Sequence, residues 1–216
     1  MDITTLESLR ALYDPARERS IKKQITFLDA HCQRFISLSP ILVLGTCSAT
    51  IQMDTSPRGG APGFVKVLDE HTLLIPDAPG NNRLDSLENI IATGRVGLLF
   101  LVPGVDETLR VNGTAVLSAD AHEIALCADE KRNPKLVIKV TVAEAYLHCA
   151  KALMRSHLWS NEYRVERSVL PSMGEMMRDQ IGGDELPDQT TGAENQNACH
   201  RLHHNVSLAR CCHALS

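Results

Sequence analysis

Between residues 41 and 142 the chain breaks into short apolar runs divided by turn-forming residues, and this punctuation limits its fold more than any other feature. Runs at 41–44, 51–55, 63–67 and 72–76 read as strands, with Asp69-Glu70 supplying a turn before the last. Further strands read at 95–102, 108–117 and 136–142, with Pro103-Gly104 as a turn and a short helix at 121–128. Strands at this spacing argue for an antiparallel sheet or barrel rather than a parallel, doubly wound one. A single strong helix interrupts them at 82–93, where Leu84, Leu87, Ile90 and Ile91 share one face while Arg83, Asp85 and Glu88 fall elsewhere, and Gly94 stops it.

Outside this region the period is helical. Residues 3–37 read as two helices, the second with Ile25, Leu28, Cys32 and Ile36 at helical spacing and an end at Ser39-Pro40. Residues 145–158 read as a helix, and Pro171 precedes an amphipathic stretch with Met173, Met176, Met177 and Ile181 that the Gly182-Gly183 pair ends. From 183 the chain turns polar and then rich in His and Cys, with too little patterned apolar content to pack. The expected organisation is a helical extension at 1–39, a β domain at 40–182 and a mobile tail at 183–216. The fold class is mainly β with helices, α+β.

With 216 residues, 44% of them hydrophobic, the chain can bury one core. Its net charge of -4 gives no basic field for a phosphate backbone, so nucleic acid is not an expected partner. No apolar run is long enough to span a membrane, and Asp2 and Glu7 stand where a signal peptide needs a positive start; a cytoplasmic location is expected. The seven cysteines are odd in number and lack CxxC pairs, which predicts reduced thiols.

Nucleophile elbows, phosphate-cradling GxxxxGK[ST] loops and HExxH helices are all missing from the sequence. Four subtler constellations remain. Ser56-Pro57-Arg58-Gly59-Gly60 closes a strand with a polar corner, which is either a surface turn or a place where bare backbone and a guanidinium fork meet a ligand. Residues 77–83 lead into the strong helix, so that Asn82 and Arg83 stand at a helix start suited to a phosphomonoester; ordinary capping by Asp85 and Ser86 is the other reading. Along 108–112, alternation sets Thr108, Arg110 and Asn112 opposite Leu109 and Val111, giving either a solvated face or donors for a polar heterocycle. Arg155 and Trp159, the sole tryptophan, fall at a helix end, where the ring either covers a flat ligand or seals a core edge or dimer seam. In the tail, Cys199, His200, His203, His204, Cys211, Cys212 and His213 gather soft ligands, but their spacing matches no zinc finger or knuckle; no metal site is assigned.

In order, the segments SPRG, PGNNRLDSL, RVGLLFLVPG and LRVNG resemble the FMN-binding split barrel of pyridoxamine 5′-phosphate oxidase-like proteins, in the branch where a strand ends in SPRG and a helix starts at NNR. The resemblance covers roughly residues 40–180. It implies an antiparallel split β-barrel, a homodimer with FMN in the groove between protomers, and oxidoreductase chemistry on a small-molecule substrate. Other occupants of such barrels, haem or a deazaflavin, and a carrier, sensor or scavenger role without turnover, stay open. By position the resemblance assigns the FMN phosphate to Asn82 and Arg83, the ribityl chain and ring to Ser56, Pro57, Arg58 and Gly59, and flavin-facing polar groups to Thr108 and Arg110, with Arg155 and Trp159 added as ring cover. No catalytic residue is named. Residues 155–159 do not reproduce the arginine-rich C-terminal motif of true pyridoxamine phosphate oxidases, so a vitamin B6 oxidase is not implied.

Overall fold

A computed structural model describes residues 2–77, 80, 82–129 and 133–182. Strict alternation in β1 (Ile41–Cys47) sends Leu42, Leu44 and Thr46 inward, and β5 (Arg95–Leu101) does the same with Val96, Leu98 and Phe100. With β2 (Met53–Gly59), β3 (Lys66–Asp69), β4 (Thr72–Pro76), β6 (Thr108–Ser118) and β7 (Val137–His148) they form a seven-stranded sheet, wholly antiparallel, in the order β2-β1-β5-β6-β7-β4-β3. The result is an α+β split β-barrel: the strand spacing predicts its antiparallel pairing, and the family resemblance implies the split barrel.

Two helices close the interior. The nine-residue α3 (Ala30–Leu38) is capped by Asp29, whose carboxylate accepts from the Cys32 N–H, and it buries Cys32 and Ile36. The nine-residue α4 (Asp85–Thr93) buries Leu87 and Ile90 and stops at Gly94, whose φ of 64° is the left-handed cap that glycine supplies. Both helices feed the same core as Leu73, Ile75, Leu109, Val111, Ile138 and Val140. Each such side chain contributes about 1.5–3 kcal/mol by leaving water. A second, smaller cluster joins Leu74, Cys127 and Val137 under α5 (Ala121–Cys127), because Leu74 faces away from its neighbours Leu73 and Ile75.

Several expectations need correcting. The N-terminal region holds three helices, not two: α1 (Leu6–Arg10), α2 (Glu18–Lys22) and α3, with Ile25 in an isolated bridge to Ala145 instead of a helix. Strand pairing outcompetes helix there, as it does in β7, which runs on to His148 because β6 offers it partners as far as Thr108. The helix expected at 145–158 shrinks to α6 (Lys151–Ser156). The run at 51–55 begins instead at Met53, with Ile51 in a turn at φ 66°, and extends through Gly59. Residues 63–65 precede β3 rather than belonging to it. Between Asn112 and Gly113 the β6–β7 register shifts; a Cβ on Gly113 would stand 2.0 Å from the Thr141 carbonyl oxygen, so this bulge requires glycine.

The chain divides into two units, Met1–Tyr163 and Arg164–Ser216. In the described part of the second, a 3₁₀ turn (Arg167–Val169) leads to α7 (Met173–Ile181), which opens on a reciprocal box: the Glu175 N–H donates to Ser172 Oγ and the Ser172 N–H to the Glu175 carboxylate. The His- and Cys-rich tail expected to be mobile lies outside the described residues. Among those residues, Cys32, Cys47, Cys127 and Cys149 are free, no group of three metal-ligating side chains forms, and no helix is long and apolar enough to cross a membrane.

Candidate functional site

Strand β2 carries proline at its centre, and it can do so because it pairs only with β1 and leaves its other edge open. Its side chains alternate, with Asp54, Ser56 and Arg58 partly buried and Thr55 and Pro57 exposed. At the other end of the strand order stand β4 and β3. A cavity of about 560 Å³ is lined from both sides of this split, by residues 56–59 of β2 on one side and by Lys66 of β3 with Pro76 and Asp77 on the other. Gly80, Asn82, Arg83 and Leu87 of the α4 approach, and Cys127, Asp129 and Lys135, complete its wall. Among the described residues, lining cations (Arg58, Lys66, Arg83, Lys135) outnumber lining carboxylates (Asp77, Asp129), a bias that favours an anionic ligand.

Across the split, Arg58 Nη1 donates to Asp77 Oδ1 at 3.2 Å, and each of the two side chains is less than a fifth exposed. Arg58 Nε is buried and meets no acceptor among the described residues. A buried donor left unpaired costs about 1–3 kcal/mol.

Asn82 and Arg83 line the cavity but precede the helix: α4 starts at Asp85, with Leu84 as an N-cap that makes no side-chain hydrogen bond, and Asn82 has a φ of 57°. The helix is instead tied down from the strands. Ser86 Oγ donates to Asp54 Oδ2 at 2.6 Å, and Asn89 Nδ2 donates to Thr46 Oγ1 at 3.0 Å, with Ser86 and Thr46 both buried. Arg83 is 76% exposed and donates from Nε to Asp85 Oδ2 at 2.5 Å. That hydrogen bond, then the charge of Asp85, hold its guanidinium still more firmly in the charged form.

At the far wall, burial pushes the Cys127 thiol above its ordinary pKa; the nearby Lys66 charge works against this shift and Glu123 with it. That direction favours the thiol over the nucleophilic thiolate.

The other predicted site residues do not reach this cavity. Thr108 is buried opposite His148, at the end of β6. Arg110 belongs to a separate polar cluster on β6 and β7: its Nη1 donates to the Tyr146 hydroxyl at 3.0 Å, its Nη2 lies 3.8 Å from Glu144, and Asn112 Nδ2 donates to Glu144 at 2.6 Å. Lys23 and Arg110 both lie within cation–π range of the Tyr146 ring, which stacks at 4.8 Å on His148. Burial, then the charges of Lys23 and Arg110, depress the His148 pKa. Arg155 is exposed, and Trp159 Nε1 donates to the Val105 carbonyl at 2.9 Å.

Of the residues sequence reasoning grouped together, the cavity thus unites Ser56, Pro57, Arg58, Gly59, Asn82 and Arg83. It adds Asp77, Lys66 and Lys135, which sequence reasoning gave no role. No local signal pointed to Asp77, a carboxylate at a strand end whose neighbours in the sheet do not include the Arg58 strand.

Residues 28–149, more than half of the chain, match the family model described as pyridoxamine 5′-phosphate oxidase, and the chain belongs to that family. Among solved structures it is similar to the HupZ protein of Group A Streptococcus, with 15% identity over 55% of this chain and 92% of that one and a TM-score of 0.46. It is also similar to an FMN-binding protein of Syntrophomonas wolfei subsp. wolfei, with 10% identity over 67% and 97% and a TM-score of 0.43. For the FAD binding protein of Mycobacterium smegmatis the values are 16% identity over 57% and 97%, with a TM-score of 0.41. No curated protein shows a sequence match.

Proposed function

We propose that the cavity binds FMN and that the protein is a cytoplasmic, homodimeric flavoprotein oxidoreductase acting on a small molecule. The observation that carries this reading is the union, in one positively biased cavity of about 560 Å³, of the residues 56–59 strand with Asn82 and Arg83, in a chain of this family. Arg83 and Asn82 hold the phosphate, Ser56 and the backbone of Gly59 run beside the ribityl chain, and Arg58 stands beside the ring. Bound FMN supplies hydride or electron transfer; the side chains bind, orient and exclude water. Thr108, Arg110, Arg155 and Trp159 lie off the cavity, so any contact they make with the cofactor comes from the second copy of a dimer.

The alternative is a flavin carrier, sensor or scavenger without turnover on the same barrel, because the fold by itself does not decide turnover. Purified full-length protein is expected to be yellow and to release FMN on denaturation, and bleaching by NADH or NADPH with recovery in air marks the enzyme. Flavin that binds but resists reduction marks the carrier. Colourless protein that takes up no flavin on reconstitution refutes both.

A further inference from the structure

We propose that Asp77 determines which ligand groups the Arg58 end of the cavity accepts: it occupies one amino group of the guanidinium and offsets its charge, turning phosphate away and leaving this end to an uncharged heterocycle. The proposal rests on the flavin reading for the name of the ligand, and on the ion pair alone for the charge rule.

An arginine with its whole donor fork available grips phosphate in a bidentate manner and would make this end of the cavity a second anion site. Here the fork is divided. Nη1 donates to Asp77 at 3.2 Å, while Nε is buried and unpaired among the described residues. The side chains are 18% and 19% exposed, so water and salt screen the pair little. A phosphate arriving at this guanidinium meets the Asp77 carboxylate as well, and the repulsion cancels much of the attraction. An uncharged carbonyl or ring nitrogen meets no such penalty.

The other arginine of the cavity has the opposite arrangement. Arg83 is paired with Asp85 at 76% exposure, where an ion pair is worth little and a carboxylate exchanges readily for a phosphate. The two arginines therefore sort a bound molecule by charge, its phosphate toward α4 and its neutral heterocycle toward the split. Asp77 makes the difference, because its carboxylate offsets the Arg58 charge in a pair that solvent screens little.

The test uses the full chain and two probes, inorganic phosphate and riboflavin, which has the heterocycle but no phosphate. Wild type, Asp77→Asn and Asp77→Asn with Arg58→Gln are compared, with Asp77→Ser as a second variant should the asparagine fail to fold. In wild type, phosphate in the tens of millimolar, matched against chloride at equal ionic strength, should leave riboflavin affinity unchanged. In Asp77→Asn the same phosphate should weaken riboflavin binding roughly tenfold and raise Tm by about 2 °C more than in wild type. Both effects should vanish in the double variant. Phosphate that already competes with riboflavin in wild type, or that treats Asp77→Asn and wild type alike, overturns the proposal. If wild type binds neither FMN nor riboflavin, the flavin reading falls, and the phosphate-dependent Tm of Asp77→Asn still decides the charge rule.

Discussion

Two arginine-centred regions on one barrel can be set side by side. On β6 and β7, Arg110 is spent on its own chain: Tyr146 accepts from it, Glu144 pairs with it, and Asn112 and Lys23 complete the cluster. In the split between the sheet edges, Arg58 lines a cavity, paired with Asp77 and with a buried Nε that meets no acceptor among the described residues. An arginine held by several partners on its own strands supports structure, whereas one paired once at a cavity wall sets the charge that a ligand meets.

The sharpest way to break the comparison is to destroy one side of it. Gly113→Ala places a Cβ 2.0 Å from the Thr141 carbonyl oxygen, so the β6–β7 bulge must open; a loss of about 3 kcal/mol or more is expected by urea denaturation. A loss below about 1 kcal/mol would mean that the register beneath the Arg110 cluster yields easily. On the cavity side, Arg83→Ala should weaken FMN by about 1.5 kcal/mol while leaving riboflavin unaffected, as titrations of both would reveal. Equal losses for the two flavins would move the phosphate away from the start of α4.

Arg110→Ala should cost about 1 kcal/mol of stability through the tyrosine and glutamate contacts, and its effect on flavin affinity should be smaller than that of Arg83→Ala. A larger flavin loss would place Arg110 at the cofactor from the partner's side. The smallest effect is a pH dependence. His148 has a folded pKa below the ordinary 6.5, so the unfolded chain takes up its proton first as pH falls. Stability is then full above about 6.5 and declines as pH drops through the window below it, down to the folded pKa. His148→Asn should flatten that decline in denaturation series between pH 7 and 5.

Much of the barrel was legible because burial writes alternation into strands. Leu42 and Leu44, or Val96, Leu98 and Phe100, can face one way only. The face of α4 was half legible: Leu87 and Ile90 are buried, but Leu84 is a cap residue outside the helix and Ile91 is 75% exposed. The run at 145–147 looked helical because Ala, Tyr and Leu suit either state, and only the presence of β6 alongside makes it strand. At the site, the segments containing Arg58 and Arg83 were visible as polar corners, but nothing local pairs residue 58 with residue 77.

By itself, then, the sequence determined the strands, the helix between them and the segments that bear the cavity's cations, since these follow from local periodicity and side-chain chemistry. Tertiary structure alone decided that β2 and β4 end on opposite sides of one gap, that Asp77 crosses it to Arg58, and that Arg110 turns to Tyr146 instead. Those outcomes depend on how the sheet curls and where its edges stop. Curvature and closure are properties of all seven strands together, and no window of sequence contains them.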